Sequence, residues 1–317
     1  MQLKVLQATV GLLAAGSAYA AGLAQKRINT LVTFGDSFTD VVNTGDGGVA
    51  WPVYASSYAN LSLHPFARSG ATCSNKITNR PFPSLFESQL PTFFAQKANG
   101  TVTVPADRTL YTLWIGTNDV GSNALLTTYG NLGGGASIVD VTECAVGWVE
   151  TMYQNGARNL LVQNMIPLNL IPTYSNGTYP DRFWNLERNS TAWSLSMFNL
   201  VNAGNALSKA LLTNLAPKLK GAHVGIFDAY SLFLDMYHNP ARYLNGTAPL
   251  NVTGSANACV FSLGGATNTC TKANGSDRDS FLWYDELHPS EQANRIVARQ
   301  IAEVARGQQN RWTTWLS

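Results

Sequence analysis

The sequence predicts an α/β fold in which a mostly parallel sheet lies between two layers of helices, a three-layer α/β/α sandwich. Short apolar runs rich in Val, Ile, Leu and Phe recur along the chain. Longer segments with apolar residues at helical spacing separate these runs. Strands that alternate with helices favour right-handed crossovers, which make neighbouring strands parallel.

Four apolar runs are predicted as strands, at residues 31–34, 110–115, 160–162 and 224–227. Residues 62–67 are a further candidate, although Pro65 cannot donate a hydrogen bond to a neighbouring strand. A helix is predicted over residues 138–152, with Ser137 and Asp140 as an N-terminal capping pair and Asn155-Gly156 as its stop. A second helix covers about 192–215, and a third opens at Pro289.

Two long segments, residues 166–184 and 239–275, are rich in Pro, Tyr and Asn and are predicted as loops along one rim of the sheet. No internal repeat or linker separates the elements, so we expect a single domain over residues 28–317.

The composition excludes some classes of partner. Of the 317 residues, 45% are hydrophobic and 13% are charged, and the formal net charge of +2 is spread without basic blocks. A nucleic-acid groove or a polybasic membrane patch would need clustered Lys and Arg. We therefore expect no nucleic-acid partner.

The N-terminus predicts export from the cell. Lys4 precedes an apolar stretch over residues 5–15, and Ala18-Tyr19-Ala20 is typical of a cleavage site, so residues 1–20 are predicted to be a signal peptide. The dibasic pair Lys26-Arg27 is a candidate propeptide site. The apolar stretch is too short to span a bilayer, so we expect a secreted, extracellular protein without stable membrane insertion.

The four cysteines fit that compartment. An even number in a secreted chain favours two disulfides, for which three connectivities are possible. Cys259 and Cys270 bracket a segment rich in Gly, Thr and Asn, which favours pairing them with each other and Cys73 with Cys144. Because no C-x-x-C spacing occurs and the histidines are not clustered, we expect neither a metal nor another cofactor.

The chain also carries seven sequons for N-glycosylation, which agree with an extracellular location. Their asparagines are Asn60, Asn99, Asn176, Asn189, Asn245, Asn251 and Asn274.

Polar residues follow the predicted strands at the points where each strand ends. Ser37 follows the first strand, Gly70 the second candidate and Asn118 the third. Asp285 and His288 stand three residues apart near the C-terminus. Ligands of open parallel sheets bind beyond the carboxyl ends of the strands, so these residues are candidates for one site.

These residues resemble the sequence blocks of the SGNH/GDSL hydrolase family over nearly the whole mature chain. Gly35-Asp36-Ser37 matches the first block, although Phe38 replaces the usual Leu, and Gly70 matches the second. Gly116-Thr117-Asn118-Asp119 matches the third, and Asp285 to His288 the fourth. The resemblance implies the SGNH hydrolase fold, with a flavodoxin-like sheet, and the activity of a carboxylic ester hydrolase.

The resemblance also implies roles for these residues. Ser37 would be the nucleophile, His288 its general base and Asp285 the carboxylate that orients His288. The backbone N–H groups of Ser37 and Gly70 and the side-chain amide of Asn118 would form the oxyanion hole. The chemistry explains the residue types, because a serine hydroxyl needs a base, the base needs a carboxylate, and the oxyanion needs fixed donors.

Alternatives remain for several of these roles. Ser37 could instead stabilise a turn after a strand. Asp285 competes with Glu286 and with Asp228. The other histidines are His64, His223 and His238.

Within the family, the chain looks most like the fungal extracellular branch of carbohydrate acetylesterases and lipase-like enzymes. Residues 80–91 and 281–284 carry that likeness. It favours acetyl esters of carbohydrates as substrates, with a lipase or phospholipid acylhydrolase as the alternative. The expected partner is therefore a small-molecule or oligosaccharide ester, and we expect the enzyme to be a monomer. Trp51, Trp283 and Tyr284 could stack on sugar rings or could pack in the interior.

Two hypotheses from other classes stay open. A glycoside hydrolase could use two carboxylates from Asp36, Asp119 and Asp285. A glycan-binding protein without catalysis would need none of these groups to react.

Overall fold

The computed structural model describes residues 22–25, 27–127 and 135–317. The predicted signal peptide and Lys26 of the dibasic pair lie outside these residues.

The main sheet has six strands, five of them parallel. In sequence these are β1 (Thr30–Gly35), β2 (Ser62–Pro65), β3 (Thr109–Trp114), β4 (Asn159–Gln163), β5 (His223–Phe227) and β10 (Thr313–Trp315). Their order across the sheet is β10-β5-β4-β3-β1-β2, and only β10 runs antiparallel to its neighbour. Since β2 lies at an edge and pairs with β1 alone, Pro65 is tolerated there.

Seven helices accompany the sheet in the described part of the chain. They are α1 (Trp51–Ala59), α2 (Leu90–Ala98), α3 (Thr117–Val120), α4 (Ile138–Gln154), α5 (Ser190–Leu215), α6 (Ala229–His238) and α7 (Glu291–Ala305). A π-helical turn, Leu85–Gln89, leads into α2. Short 3₁₀ turns occupy Leu168–Leu170, Pro172–Tyr174, Ala216–Lys218, Pro240–Arg242 and Gly275–Ser280.

Each face of the sheet has its own apolar core, because alternate residues of a strand point to opposite faces. Leu31 of β1 belongs to a core that includes residues of α1, α6 and α7. Val32, the next residue, belongs to the opposite core with residues of α2 and α4. β1, β3 and β4 are buried along their whole length, which explains their nearly continuous apolar sequences. The predicted three-layer α/β/α fold is confirmed.

Local signals placed α4 correctly. The Ser137 side chain accepts a hydrogen bond from the backbone N–H of Val139, and Asp140 completes the capping box. The prediction for α7 was wrong by two residues, because Ser290 is its N-cap and accepts from the Ala293 N–H at 3.1 Å. Pro289 instead forms an isolated bridge with Trp283.

The segment 239–275 is more structured than the sequence suggested. It contains β6 (Asn251–Ser255), β7 (Asn257–Phe261) and β8 (Asn268–Lys272). β6 pairs with β9 (Phe281–Trp283), and β7 and β8 form an antiparallel hairpin. Most residues of β8 are polar, so the sequence shows no apolar pattern that would predict this strand.

Both disulfides are present with the predicted pairing. Cys259–Cys270 joins the two strands of the β7–β8 hairpin. Cys73–Cys144 joins the loop after β2 to α4. Across the part of the chain that the structure describes, we find no helix long and apolar enough to cross a membrane.

Candidate active site

Ser37 lies in a tight turn directly after β1, at the carboxyl end of the sheet. The Asp36 carboxylate accepts a hydrogen bond from the Phe38 N–H at 3.0 Å, and the Asp36 carbonyl accepts from the N–H groups of Thr39 and Asp40. These bonds wind the chain into one helical turn immediately after the strand. The Ser37 hydroxyl is thereby presented on the surface of the turn, half-buried.

Buried side chains join this turn to the loops that follow β2 and β3. Asp40 accepts from the Ser69 N–H at 2.8 Å, which holds the Gly70 loop beside the Ser37 turn. Asp119 accepts from the Cys73 N–H at 3.1 Å and from the Thr78 hydroxyl at 2.6 Å. The three loops therefore form one cross-linked unit.

Ser37, His288 and Asp285 form a hydrogen-bonded chain. The distance between Ser37 Oγ and His288 Nε2 is 2.8 Å. On the other side of the ring, His288 Nδ1 lies 2.9 Å from Asp285 Oδ1. The same carboxylate oxygen accepts from the backbone N–H groups of Leu287 and His288, which fixes its orientation. This is the geometry in which an imidazole can take a proton from a serine hydroxyl.

Opposing effects set the pKa values of this pair. Burial lowers the pKa of His288, but the Asp285 charge and the hydrogen bond to it outweigh burial and leave that pKa above its ordinary value. Burial raises the pKa of Asp285, whereas the His288 charge and hydrogen bonds from His288 and Leu287 hold it below its ordinary value. Asp285 is therefore ionised at neutral pH and stabilises a positive charge on His288.

Packing fixes the plane of the His288 ring. Phe38 and Phe183 meet it edge to face, with centroid distances of 5.9 and 5.6 Å. Gly45 lies against the ring so closely that a Cβ there would stand 2.2 Å from His288 Cδ2. The signal for this contact in the sequence is the cluster Gly45, Gly47 and Gly48.

A cavity of about 370 Å³ opens over Ser37 and His288. Gly70 and Asn118 both line it. Gly70 has a φ of +78°, and a Cβ on it would lie 2.5 Å from the Phe82 ring, so glycine is required on both counts. The Asn118 amide nitrogen donates to the Ala71 carbonyl at 2.9 Å, which leaves its second hydrogen free of that bond.

Two arginines that the sequence did not single out also line the cavity. Arg80 donates to Asn118 Oδ1 at 2.9 Å and lies over the Phe82 ring. Arg182 lies on the other side of the site, with a nitrogen 3.9 Å from Asp285 Oδ2. The loop over residues 166–184 thus reaches the site through Arg182 and Phe183.

The acidic alternatives lie elsewhere. Glu286 is fully buried and accepts from the Cys259 N–H and the Tyr179 hydroxyl. Asp228 caps α6 and accepts from the Asn164 amide. Neither carboxylate hydrogen-bonds His288, so Asp285 is the acidic group in contact with the ring.

Asp36 and Asp119 are buried beneath the site. Burial raises the pKa of Asp36 to about 7 and that of Asp119 to about 6. Asp36 is 1% exposed and Asp119 is 0% exposed, so a sugar cannot reach these carboxylates. This argues against a glycoside hydrolase that uses them. Asp36 accepts a hydrogen bond from Phe38 in its own turn, and Asp119 accepts from Cys73 and Thr78 in the neighbouring loop, which points to structural roles.

The interpretation of the aromatic residues as sugar platforms was wrong for the two tryptophans. Trp51 and Trp283 are both 0% exposed, and Trp283 stacks on Phe233 in the core. Tyr284 is half-buried next to Gly47 and beneath Arg278, away from the described lining of the cavity. Phe82, with 41% of its surface exposed, is the aromatic residue at the rim.

No group of three or more His, Cys, Asp or Glu side chains that could hold a metal ion occurs within residues 22–25, 27–127 and 135–317.

Comparison with known proteins decides the family. The profile of the GDSL-like lipase/acylhydrolase family matches residues 31–301, which span the turn of Ser37 and the Asp285–His288 pair. The chain belongs to this family. The resemblance to SGNH/GDSL hydrolases predicted from the sequence is thus confirmed, and the protein is a carboxylic ester hydrolase.

Two relatives of this GDSL-family protein cover most of its length. An acetylesterase from Hypocrea jecorina is 29% identical over 90% of this chain and 91% of its own. An acetylesterase from Thermothelomyces thermophilus is 25% identical over 87% of this chain and 88% of its own. Among solved structures, the acetylxylan esterase Axe2 from Geobacillus stearothermophilus aligns over 92% of this chain and 99% of its own, with 13% identity. Its TM-score of 0.42 is too low to support a functional argument.

The contact between Gly45 and His288 predicts a loss of activity in Gly45→Ala. The backbone of Gly45 suits alanine, so the clash with the ring is the main effect. Displacing a reacting group by about 1 Å can lower the rate roughly 100-fold, and we expect a fall of at least about that size in kcat for p-nitrophenyl acetate.

Gly147→Ala is the matched control, because the nearest atom to its added Cβ is 4.0 Å away and the residue lies inside α4. We expect this variant to keep full activity and a slightly higher melting temperature. Unchanged kcat in Gly45→Ala would show that the contact does not position His288.

The raised pKa of His288 predicts how activity depends on pH. The base must be neutral, so kcat/KM should rise with pH through an apparent pKa above the ordinary value of about 6.5. In Asp285→Asn the favourable charge is lost and burial dominates, so this acidic limb should move to lower pH. The maximal rate should fall by up to about 10⁴-fold, because an amide no longer fixes the required tautomer.

Glu286→Gln removes the neighbouring carboxylate and serves as the control. Its acidic limb should stay where it is in the parent enzyme. An acidic limb that moves equally in both variants, or to higher pH in Asp285→Asn, would contradict the assignment.

Proposed function

We propose that this protein hydrolyses short-chain esters of carbohydrates, acetyl esters above all, by a Ser-His-Asp acyl-enzyme mechanism. The observation that carries the mechanism is the chain from Ser37 Oγ through His288 to Asp285, with distances of 2.8 and 2.9 Å. Both hydrogen bonds fall within the range in which a proton can be transferred or held.

In the first half of the reaction, His288 Nε2 takes the Ser37 proton as Oγ attacks the acyl carbon. The negative oxygen of the tetrahedral intermediate accepts hydrogen bonds from the Ser37 and Gly70 N–H groups and from the Asn118 amide. The imidazolium, stabilised by Asp285, then protonates the departing sugar oxygen, and an acyl-Ser37 ester remains.

In the second half, water replaces the sugar. His288 takes a proton from the water as its oxygen attacks the acyl carbon, and the same donors stabilise the second oxyanion. Collapse of this intermediate breaks the bond to Ser37 Oγ, which regains the proton from His288. The free acid leaves, and the enzyme returns to its starting state.

The size of the cavity supports a short acyl group. At about 370 Å³ it lies near the lower end of the range of ligand sites, roughly 300–1,000 Å³. The acetylesterases to which the chain is similar support acetyl in particular. Phe82 at the rim offers an apolar face on which a sugar ring could pack.

The proposal predicts that Ser37→Ala loses nearly all hydrolysis, whereas a fluorophosphonate probe labels Ser37 in the parent enzyme. It also predicts that p-nitrophenyl acetate and acetylated xylo-oligosaccharides are turned over much faster than p-nitrophenyl palmitate. The measurements are initial rates and the mass of the labelled peptide.

The alternatives give different results. Activity mainly on the palmitate ester or on a phospholipid would favour a lipase or acylhydrolase. Activity that survives Ser37→Ala would contradict the serine mechanism. Absence of both labelling and hydrolysis would favour a glycan-binding protein.

We also propose that the enzyme is secreted and N-glycosylated. The two disulfides support an oxidising compartment. Six of the seven sequon asparagines are exposed and Asn251 is half-buried, so each is within reach of a modifying enzyme.

Expression in a eukaryotic secretory host tests this location. We expect enzyme in the medium whose N-terminus follows Ala20, or Arg27 if the dibasic site is used. Treatment with a peptide N-glycosidase should lower its mass. Protein retained in the cells with Met1 intact would contradict the proposal.

A further inference from the structure

Arg80 is the charged side chain nearest to the Asn118 amide in the cavity wall, and its contact constrains that amide. Its guanidinium donates to Asn118 Oδ1 at 2.9 Å. On the opposite side, Asn118 Nδ2 donates to the Ala71 carbonyl at 2.9 Å. A guanidinium has only donors and a carbonyl has only acceptors. A flipped amide would set donor against donor and acceptor against acceptor, so a single orientation satisfies both neighbours.

That orientation is the one an oxyanion hole needs. Nδ2 carries two hydrogens, and the bond to Ala71 uses one of them. The other remains for an acyl oxygen in the cavity that Asn118 lines with Ser37 and Gly70. The positive charge on Arg80 draws electron density toward Oδ1, which makes the N–H groups of the same amide stronger donors.

The loop that carries Arg80 is itself held in place. Glu87 accepts from the hydroxyls of Ser74 and Ser84, both at 2.6 Å, and from the Asn75 N–H. Asn75 in turn donates to the Phe82 carbonyl at 3.0 Å. The guanidinium lies 5.3 Å above the Phe82 ring centre.

The charges beneath the site retain Arg80 as well. Asp36 and Asp119 are both buried and both attract its guanidinium. Arg80 therefore has a fixed loop on one side and two acidic side chains below it. An arginine that served only as a flexible surface contact would need neither.

We propose that Arg80 is a positioning residue of the oxyanion hole, which orients and polarises the Asn118 amide toward the acyl oxygen. The inference rests on the proposed serine-esterase function. Arg80 raises the reaction rate through its contact with Asn118, and this effect arises as the oxyanion forms.

A double-mutant cycle with p-nitrophenyl acetate tests this inference. Removing one oxyanion donor typically lowers kcat by about 10²–10³-fold, so losing the group that orients it should lower kcat by about 10- to 50-fold in Arg80→Met. KM should change less than about twofold, since the oxyanion is absent from the bound substrate. In the Asn118→Ala background, adding Arg80→Met should lower kcat by a further factor of less than about three.

Arg80→Lys keeps a cationic donor and should retain kcat within about fivefold of the parent enzyme. It also covers the case in which Arg80→Met does not fold, which circular dichroism and urea denaturation would reveal. Arg182→Met is the matched control, since Arg182 lines the same cavity but contacts Asp285 instead of Asn118. Its effect on kcat should multiply with that of Asn118→Ala.

Two outcomes would overturn the inference. One is an Arg80→Met effect of equal size in the parent and Asn118→Ala backgrounds, or one confined to KM. The other is an Arg80→Lys enzyme as slow as Arg80→Met. Failure of the proposed function is visible separately, as absent hydrolysis and absent Ser37 labelling in the parent enzyme.

Discussion

The shared carboxyl edge of β1, β2 and β3 is the constraint on which the site depends. Parallel pairing places the loops after these strands side by side, but loops that only approach one another would not hold reacting groups to within a fraction of an ångström. Asp40 and Asp119 supply the missing rigidity by accepting backbone hydrogen bonds from neighbouring loops. The loops that carry the proposed oxyanion donors are consequently held in place before any substrate arrives, so the proposed mechanism needs little reorganisation in the transition state.

This rigid arrangement places several ionisable groups in a buried region. Asp36 and Asp119 lie below the cavity with pKa values raised by burial to about 7 and about 6. Arg80 faces both of them and lowers the free energy of their ionised forms. On the other side of Ser37, Asp285 lowers the free energy of the protonated form of His288. Ser37 therefore lies between the negative Asp285 and the positive Arg80, and in the proposed mechanism the first stabilises the imidazolium and the second supports the oxyanion.

Much of the fold could be read from the sequence because the strands and helices have clear periodicities. Buried parallel strands give apolar runs, and α4 carries its own capping box. The predictions failed where local signals were weak or ambiguous. Pro289 resembles a first-turn proline, yet Ser290 is the N-cap, so α7 begins at Glu291, two residues after Pro289. β8 is mostly polar and β10 has only three residues, so pairing with their neighbours decides their conformation.

For the site, the sequence by itself identified the candidate residues. The Ser37 and Asn118 blocks directly follow predicted strands, and the block Asp285 to His288 completes the pattern of the family. Only the tertiary structure decided which groups surround them. Gly45, Arg80 and Phe183 lie far along the chain from His288 or Asn118 and are common in loops, so no spacing rule identifies them. Packing likewise decided the burial of Trp51 and Trp283. The sequence does not distinguish an aromatic residue of the core from one on a sugar-binding surface, because both environments favour aromatic side chains.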